Sequence, residues 1–297
     1  MAYKSGFVAL LGRPNVGKST LLNRLAGRKV AIVTPKPQTT RTRLRAIITT
    51  GAAQMVVVDT PGIHRPRTKL GAAMVKSAQG AARDMDLLWH VVDLTREPTP
   101  EDRWVVSLLT RHDAPAWLIA NKQDAAADWR RSLAPYRELH QYQAIYPVSA
   151  LTGAGMDVLL EDAIAALPEG PQLYEAETVT DQAEDFYIAE VIREKVLELA
   201  RDEVPHAVAV VVEEKIRRRP DLMYIRAHLY VERESQRGIL VGEGGRMSRE
   251  IGRRARADLE TYFGHQVYLD LWVKAEKGWR DREDWLHRFG LTTRGRE

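Results

Sequence analysis

The sequence predicts an α/β chain in two parts: a doubly wound, mostly parallel sheet, then a smaller α+β domain. Three observations lead there. A glycine loop, Gly12-Arg13-Pro14-Asn15-Val16-Gly17-Lys18-Ser19-Thr20, stands between an apolar run, Phe7–Leu11, and a stretch whose leucines at 21, 22 and 25 suit a helix. Apolar runs recur at 54–58, 87–92, 116–120 and 145–148, spaced widely enough for helices between them, as parallel βαβ units require. Beyond Leu167-Pro168-Glu169-Gly170-Pro171, which no helix continues through cheaply, the pattern changes to a helical stretch, paired strand-like runs and a second glycine turn.

A chain of 297 residues has room for about two domains, each with its own core. The expected division is 1–170, an acidic connector at 171–182, and 183–297 with a C-terminal helix. At 44% hydrophobic and 28% charged residues, the composition is that of an ordinary globular protein. The absence of cysteine excludes disulfides, thiolate chemistry and cysteine-based metal sites, and suits a cytoplasmic location. No apolar run approaches a membrane span, and the N-terminal run leads straight into the glycine loop.

The charge is uneven. Residues 1–170 carry 22 Lys and Arg against 15 Asp and Glu, whereas 171–297 carry 22 against 25. Bulk charge therefore does not make the second part a nucleic-acid binder, and such a site must rest on a local cluster.

In the first part, Gly12 and Gly17 let the backbone turn so that successive N–H groups cradle phosphate oxygens, at the positive end of the following helix. Lys18 is placed to reach β- and γ-phosphates, and the Ser19 hydroxyl to ligate Mg²⁺. Residues 29–42 lack periodicity and read as a mobile loop, in which Thr39 or, preferably, Thr40 completes the Mg²⁺ shell. Strands are expected at 43–50 and 54–58. The second ends in Asp59-Thr60-Pro61-Gly62, where Asp59 can hold Mg²⁺ and the Gly62 N–H can meet a γ-phosphate. Ile63 follows, where many GTP-hydrolysing switches place a water-orienting glutamine, so no general base is assigned and intrinsic hydrolysis is expected to be slow. His64 is the nearest titratable group.

Asn121-Lys122-Gln123-Asp124 closes the run 116–120. The Asp124 carboxylate matches the N1 and N2 edge of guanine and opposes that of adenine, a steep form of discrimination. Ser149-Ala150, closing the next run, offers a backbone N–H to guanine O6. All these residues fall at carboxyl ends of expected strands, where such sheets bind phosphate ligands.

In the second part, a helix is expected over 183–201, then strands at 207–213 and 222–231 with a charged turn at 215–220 between them. Gly242-Glu243-Gly244-Gly245 leads into a helix to about Phe263, and a last strand follows at 267–273. At 100° per residue, Arg246, Arg249, Arg253 and Arg256 share one face of that helix, with Met247, Ile251, Ala255 and Leu259 nearly opposite.

The motifs GRPNVGKS, DTPG, NKQD and SA in series resemble the translation-factor-class GTPases. Gln38-Thr39-Thr40-Arg41 and Leu271–Trp279 extend the resemblance, over essentially the whole chain, to the Era family of bacterial ribosome-assembly GTPases. That resemblance implies a P-loop GTPase domain followed by a type II KH domain. It further implies GTP hydrolysis with Mg²⁺, binding of RNA near the 3′ end of 16S rRNA, a role on the small (30S) ribosomal subunit, and peripheral association with the inner membrane. It gives no reason to expect DNA binding. Similar GTPases with asparagine at the position of Asn15 use it to ligate K⁺; the competing reading is that Asn15 only stabilises its loop.

The glycine turn at 242–245 then fits the GXXG loop with which KH domains clamp a nucleic-acid backbone, and the arginine face fits phosphate contacts. Glu243 departs from that pattern, a negative charge where such loops often carry a basic residue. Two other classes compete. A signalling or membrane-associated switch with a protein-binding C-terminal domain lacks a use for the glycine turn and arginine face. A metabolic P-loop kinase is opposed by the guanine-reading motif.

Overall fold

A computed structural model of the chain describes residues 2–36, 38–63, 65–66, 68–201 and 204–292; His64 lies outside them. The chain divides into two compact units, Met1–Arg67 with Gly71–Asp181, and Thr68–Leu70 with Gln182–Glu297.

The first unit is built on a six-stranded sheet of order β2-β3-β1-β4-β5-β6. Its strands are β1 (Lys4–Leu11), β2 (Leu44–Thr49), β3 (Ala53–Asp59), β4 (Leu87–Asp93), β5 (Ala116–Asn121) and β6 (Ala144–Pro147). All pairings are parallel except that of the edge strand β2 with β3. Strands β3, β4 and β5 are buried along their whole length, which is why they read as unbroken apolar runs. The connecting helices are α1 (Lys18–Ala26), α2 (Lys69–Ala81), α3 (Pro100–Leu109), α4 (Trp129–Arg137) and α5 (Met156–Ala166). Ala78 of α2 and Val105, Leu108 and Leu109 of α3 pack on Ala9, Leu11 and Leu88, while α1 lies against β2 and β3 and α5 against β1 and β3. Helix α3 starts where Thr99 and Asp102 form a reciprocal capping box around Pro100.

The acidic stretch expected as a loose connector is largely exposed yet tied down. Buried Gln54 accepts the amides of Leu173 and Tyr174, both at 2.8 Å, and donates to the Tyr174 carbonyl. Val179 accepts the Ile47 amide at 2.9 Å, and Arg45 pairs with Asp181 at 2.7 Å. Residues 173–181 thus run along the otherwise open edge at β2, a way of covering a free strand edge.

The second unit contains α6 (Glu184–Leu199), β7 (Ala209–Arg219), β8 (Leu222–Val231), α7 (Glu234–Val241), α8 (Arg246–Phe263), β9 (Gln266–Ala275) and α9 (Glu283–Arg288). Strand β8 pairs antiparallel with β7 and parallel with β9. One face of this sheet, with Ile225, Ala227 and Leu229, packs against Ile188, Val191 and Ile192 of α6 and Ile251, Ala255 and Leu259 of α8. Each fully buried Ile or Leu contributes about 2 kcal/mol by transfer from water.

Two expectations are corrected here. The charged turn at 215–220 is mostly strand: β7 continues to Arg219, leaving Pro220 and Asp221 as the turn. The charges are tolerated because Lys215 pairs with Glu184 and Asp185, and the Arg218 guanidinium lies 4.0 Å from the Tyr224 ring centroid. Helix α7 was not anticipated: only Gln236 and Leu240 of its eight residues are buried, too few to give a periodic signal. Among the described residues, no helix is long and apolar enough to cross a membrane.

Candidate functional site

Strand β1 delivers the chain into the loop 12–17, whose shape is enforced by tight packing. A Cβ at Gly12 would meet the Val91 carbonyl oxygen at 2.5 Å, and one at Gly17, which has φ +99°, would meet Asn121 Nδ2 at 2.3 Å. The loop's carbonyls are held from outside. Lys18 Nζ donates to Gly12 O at 2.9 Å and Arg13 O at 3.0 Å; Ile63 N also donates to Gly12 O. Lys122 Nζ donates to Asn15 O at 2.8 Å, and Asn121 Nδ2 to Val16 O at 2.9 Å. With the carbonyls engaged in this way, the amides line the inner side as an anion-binding nest. Burial pushes the Lys18 ammonium down to about 8, against the attraction of Asp59. An anion beside it would restore its ordinary value.

Ser19, Thr40 and Asp59 converge. The Ser19 hydroxyl donates to Asp59 Oδ2 at 2.6 Å and lies 2.8 Å from the Thr40 hydroxyl, which itself donates to Oδ2 at 3.2 Å. Asp59 Oδ1 is buried and has no hydrogen-bond partner among the described residues. Burial raises the Asp59 carboxyl above its ordinary range, against the pull of Lys18 and the two hydroxyls. An all-oxygen donor set with an unsatisfied carboxylate oxygen fits a hard divalent cation such as Mg²⁺. The Thr39 hydroxyl turns instead to Lys36 O and Thr34 within its own loop, which leaves Thr40 facing this cluster.

The remaining site residues are spread between contact and support. Val16 is fully buried, and Thr20 sits in the first turn of α1. Thr60 donates its hydroxyl to Leu10 O at 2.7 Å, and Gly62 abuts Pro14, where a Cβ would come within 2.8 Å; Pro61 between them is buried. Ile63 is fully buried among Ala9, Leu11 and Leu88.

Asp124 is exposed at the mouth of the loop after β5. Asn121 Oδ1 accepts the Ala150 amide at 2.9 Å, and the Ser149 amide donates to Ala154 O. A guanine O6 meeting the backbone N–H expected at Ser149-Ala150 would share the Ala150 proton with Asn121.

Several supporting residues escaped the sequence reading. Asp93, at the end of β4, binds Lys122 Nζ at 2.7 Å and caps Thr95; its carboxyl is held low despite burial by those bonds. Arg13 reaches the fully buried Asp102 at 3.2 Å, fastening the loop to the start of α3. Asn23 accepts the amides of Val30 and Ala31 at the entry to the loop 29–42. Only the strand-end position of Asp93 carried a signal.

In the second unit, Gly242, Gly244 and Gly245 all have left-handed φ, so the turn requires its glycines. Arg246, Arg249, Arg253 and Arg256 are exposed on α8, opposite fully buried Ile251, Ala255 and Leu259. A cleft of about 560 Å³ is lined by Leu199, Ile239, Gly242, Met247, Glu250 and the arginines Arg246, Arg249 and Arg253. The four arginines are not equivalent. Arg253 forms a bidentate pair with Glu250, both bonds 2.8 Å, and Arg256 lies 3.9 Å from Glu260. Hydrogen bonds from Arg253 and Arg254 draw the Glu250 carboxyl down to about 2. Glu243 is exposed at the tip of the turn.

Nucleotide loop, guanine-type motif and αββααβ second unit define a P-loop GTPase joined to a KH domain. Residues 7–122 match the family described as 50S ribosome-binding GTPase, and 203–280 match the KH domain. The chain is 46% identical over 295 residues to GTPase Era of Carboxydothermus hydrogenoformans, covering 98% of this chain and 99% of that protein. It is 43% identical over 293 residues to GTPase Era of a Thermoanaerobacter species, covering 98% and 97%. The chain belongs to the Era GTPase family, and its reaction is the hydrolysis of GTP. The fold matches the crystal structure of Era in complex with MgGDPNP and nucleotides 1506-1542 of 16S ribosomal RNA, with a TM-score of 0.94 at 36% identity. It matches a variant of Aquifex aeolicus Era bound to GDP.AlF4- with a TM-score of 0.93 at 36% identity. Each match covers 98% of this chain and 100% of the other.

Proposed function

We propose that this GTPase is a switch in assembly of the small ribosomal subunit, binding 16S rRNA near its 3′ end through the KH domain according to the nucleotide it holds. The observation that carries the switch is the approach of Thr40, in the loop 29–42, to Ser19 of the phosphate loop at 2.8 Å. A loop whose Thr40 hydroxyl reaches the phosphate site can be held or released with the γ-phosphate.

The residues divide the work. The amides of 13–19 and the Lys18 ammonium bind the β- and γ-phosphates, and the Gly62 amide meets the γ-phosphate. Ser19, Thr40 and Asp59 hold Mg²⁺, which neutralises phosphate charge when bound. Asp124 reads the N1 and N2 edge of guanine, beside Asn121 and Ala150. Lys122 acts through Asn15 O and Asp93, keeping the base loop and phosphate loop in register. Fully buried Ile63 cannot orient water, which supports a slow intrinsic rate. Asn15 donates Nδ2 to Pro35 O at 2.8 Å, which supports a loop-stabilising role and leaves its Oδ1 as the K⁺ ligand we assign.

In the KH domain, the turn 242–245 and the free guanidiniums of Arg246 and Arg249 contact the RNA backbone, with Arg253 and Arg256 at the margin. The protein acts in the cytoplasm, with peripheral contact at the inner membrane. The test is cosedimentation with purified 30S subunits across a salt series. Binding that weakens steeply with salt is expected; absence of binding at low salt would refute the role.

A further inference from the structure

Arg24 lies on α1, six positions beyond Lys18, and its guanidinium turns away from the phosphates. Nε donates to Ala150 O at 3.1 Å and Nη2 donates to Leu151 O. The adjoining peptide plane, on the other side of the Ala150 Cα, is held as well, because the Ala150 amide donates to Asn121 Oδ1 at 2.9 Å. Ala150 is almost fully buried, whereas the Leu151 side chain is 71% exposed. The loop that follows is closed on itself: Ser149 N donates to Ala154 O, Gly153 N to Ser149 O, and Thr152 N to Ser149 Oγ. Arg24 therefore links a self-contained loop to the helix that starts at the phosphate loop.

We infer that Arg24 is a positioning residue for base recognition, setting the depth at which the Ala150 amide meets guanine O6. The inference rests on the guanine-reading role given above to Asp124 and Ala150. Because the Ala150 N–H already donates to Asn121 Oδ1, its reach to a guanine O6 depends on where the Ala150 backbone sits, and the Ala150 carbonyl held by Arg24 fixes that from the adjoining peptide plane. Two guanidinium donors spanning consecutive carbonyls fix both position and tilt, which a single ammonium cannot do. One phosphate-binding helix then carries both the phosphate contact and the base-loop anchor, so the spacing between them is set by a rigid element.

The test uses full-length protein and three diphosphates: GDP, ADP and the 2-aminopurine riboside diphosphate, which lacks O6 but keeps the N2 amine. Arg24→Ala is expected to weaken GDP about fivefold, the scale of one net hydrogen bond, while the 2-aminopurine nucleotide changes less than about twofold. Arg24→Lys is expected to recover part of the GDP loss. Melting temperatures of the nucleotide-free variants serve as the fold control, since the side chain is exposed. Equal weakening of GDP and the 2-aminopurine nucleotide, or no weakening of either, would overturn the role of Arg24. A wild-type protein that binds ADP as well as GDP would instead overturn the guanine reading on which it rests.

Discussion

The Thr40 hydroxyl lies 2.8 Å from the Ser19 hydroxyl, and both donate to the same oxygen of Asp59. The two hydroxyls belong to different elements. Ser19 is fixed on α1, so Ser19→Ala should weaken Mg²⁺-dependent binding of GDP and GTP alike, by about tenfold or more. Thr40 belongs to the loop, so Thr40→Ala should weaken the GTP analogue GDPNP and leave GDP within about twofold. Fluorescent-nucleotide titrations with and without EDTA would check this; equal effects of Thr40→Ala on GDP and GDPNP would contradict the loop's role.

Asn15 predicts a monovalent-ion effect. GTP turnover should rise when K⁺ replaces Na⁺ at equal ionic strength, and Asn15→Ala should abolish the difference. GDP affinity should change less than turnover, because the ion acts on charge that develops in the transition state. Identical turnover of the unmodified protein in K⁺ and Na⁺ would leave Asn15 with its bond to Pro35 alone.

The α8 arginines should separate in a salt series. Arg246 and Arg249 are exposed and have no ion-pair partner within the described residues, whereas Arg253 already carries the Glu250 carboxylate. Replacing Arg246 and Arg249 with Ala should lower the log–log salt slope of RNA binding by about one unit each. Arg253→Ala should lower it by less, since its charge is already compensated. Equal slopes for all three variants and the wild type would return this face to simple solvation.

His90 gives a pH dependence. It is fully buried, its Nδ1 lies 2.7 Å from the Tyr142 hydroxyl, and its Nε2 has no partner among the described residues. Burial, reinforced by the positive fields of His140, Lys18 and Arg13, holds the imidazole down to about 3. Above about pH 6.5 it is neutral both folded and unfolded and contributes nothing. Between there and about pH 3 the unfolded chain takes up a proton that the folded chain refuses, so stability falls as pH falls, by at most about 1.4 kcal/mol per unit. His90→Gln should flatten that part of the profile in chemical denaturation between pH 7 and 4.5. A variant that loses stability as steeply as the wild type would place the acid sensitivity elsewhere.

The fold was legible wherever burial is continuous. Strands β3, β4 and β5 are buried on both faces, so local sequence suffices to find them, and the residues that end them mark the site. What sequence did not give are pairings at long range. Nothing near Arg13 announces Asp102, eighty-nine positions away, and nothing near Gln54 announces that its amide will hold Leu173 and Tyr174. Lys215–Arg219 was misread because consecutive charges look like a turn; a strand edge with Glu184, Asp185 and the Tyr224 ring beside it accepts them. The arginine face of α8 was visible from its period, but the compensation of Arg253 by Glu250, three residues earlier, was not weighed.

If the protein is a switch, its nucleotide state controls RNA binding. The most direct measurement is the Kd of the full-length protein for an RNA matching the 3′ end of 16S rRNA, with Mg²⁺ and either GDPNP or GDP, at one fixed salt concentration. The Kd values should differ by about tenfold or more between the two nucleotides, a difference that Thr40→Ala removes and that a scrambled RNA does not show. The same Kd with GDPNP and GDP, in a protein that binds both nucleotides, would contradict it.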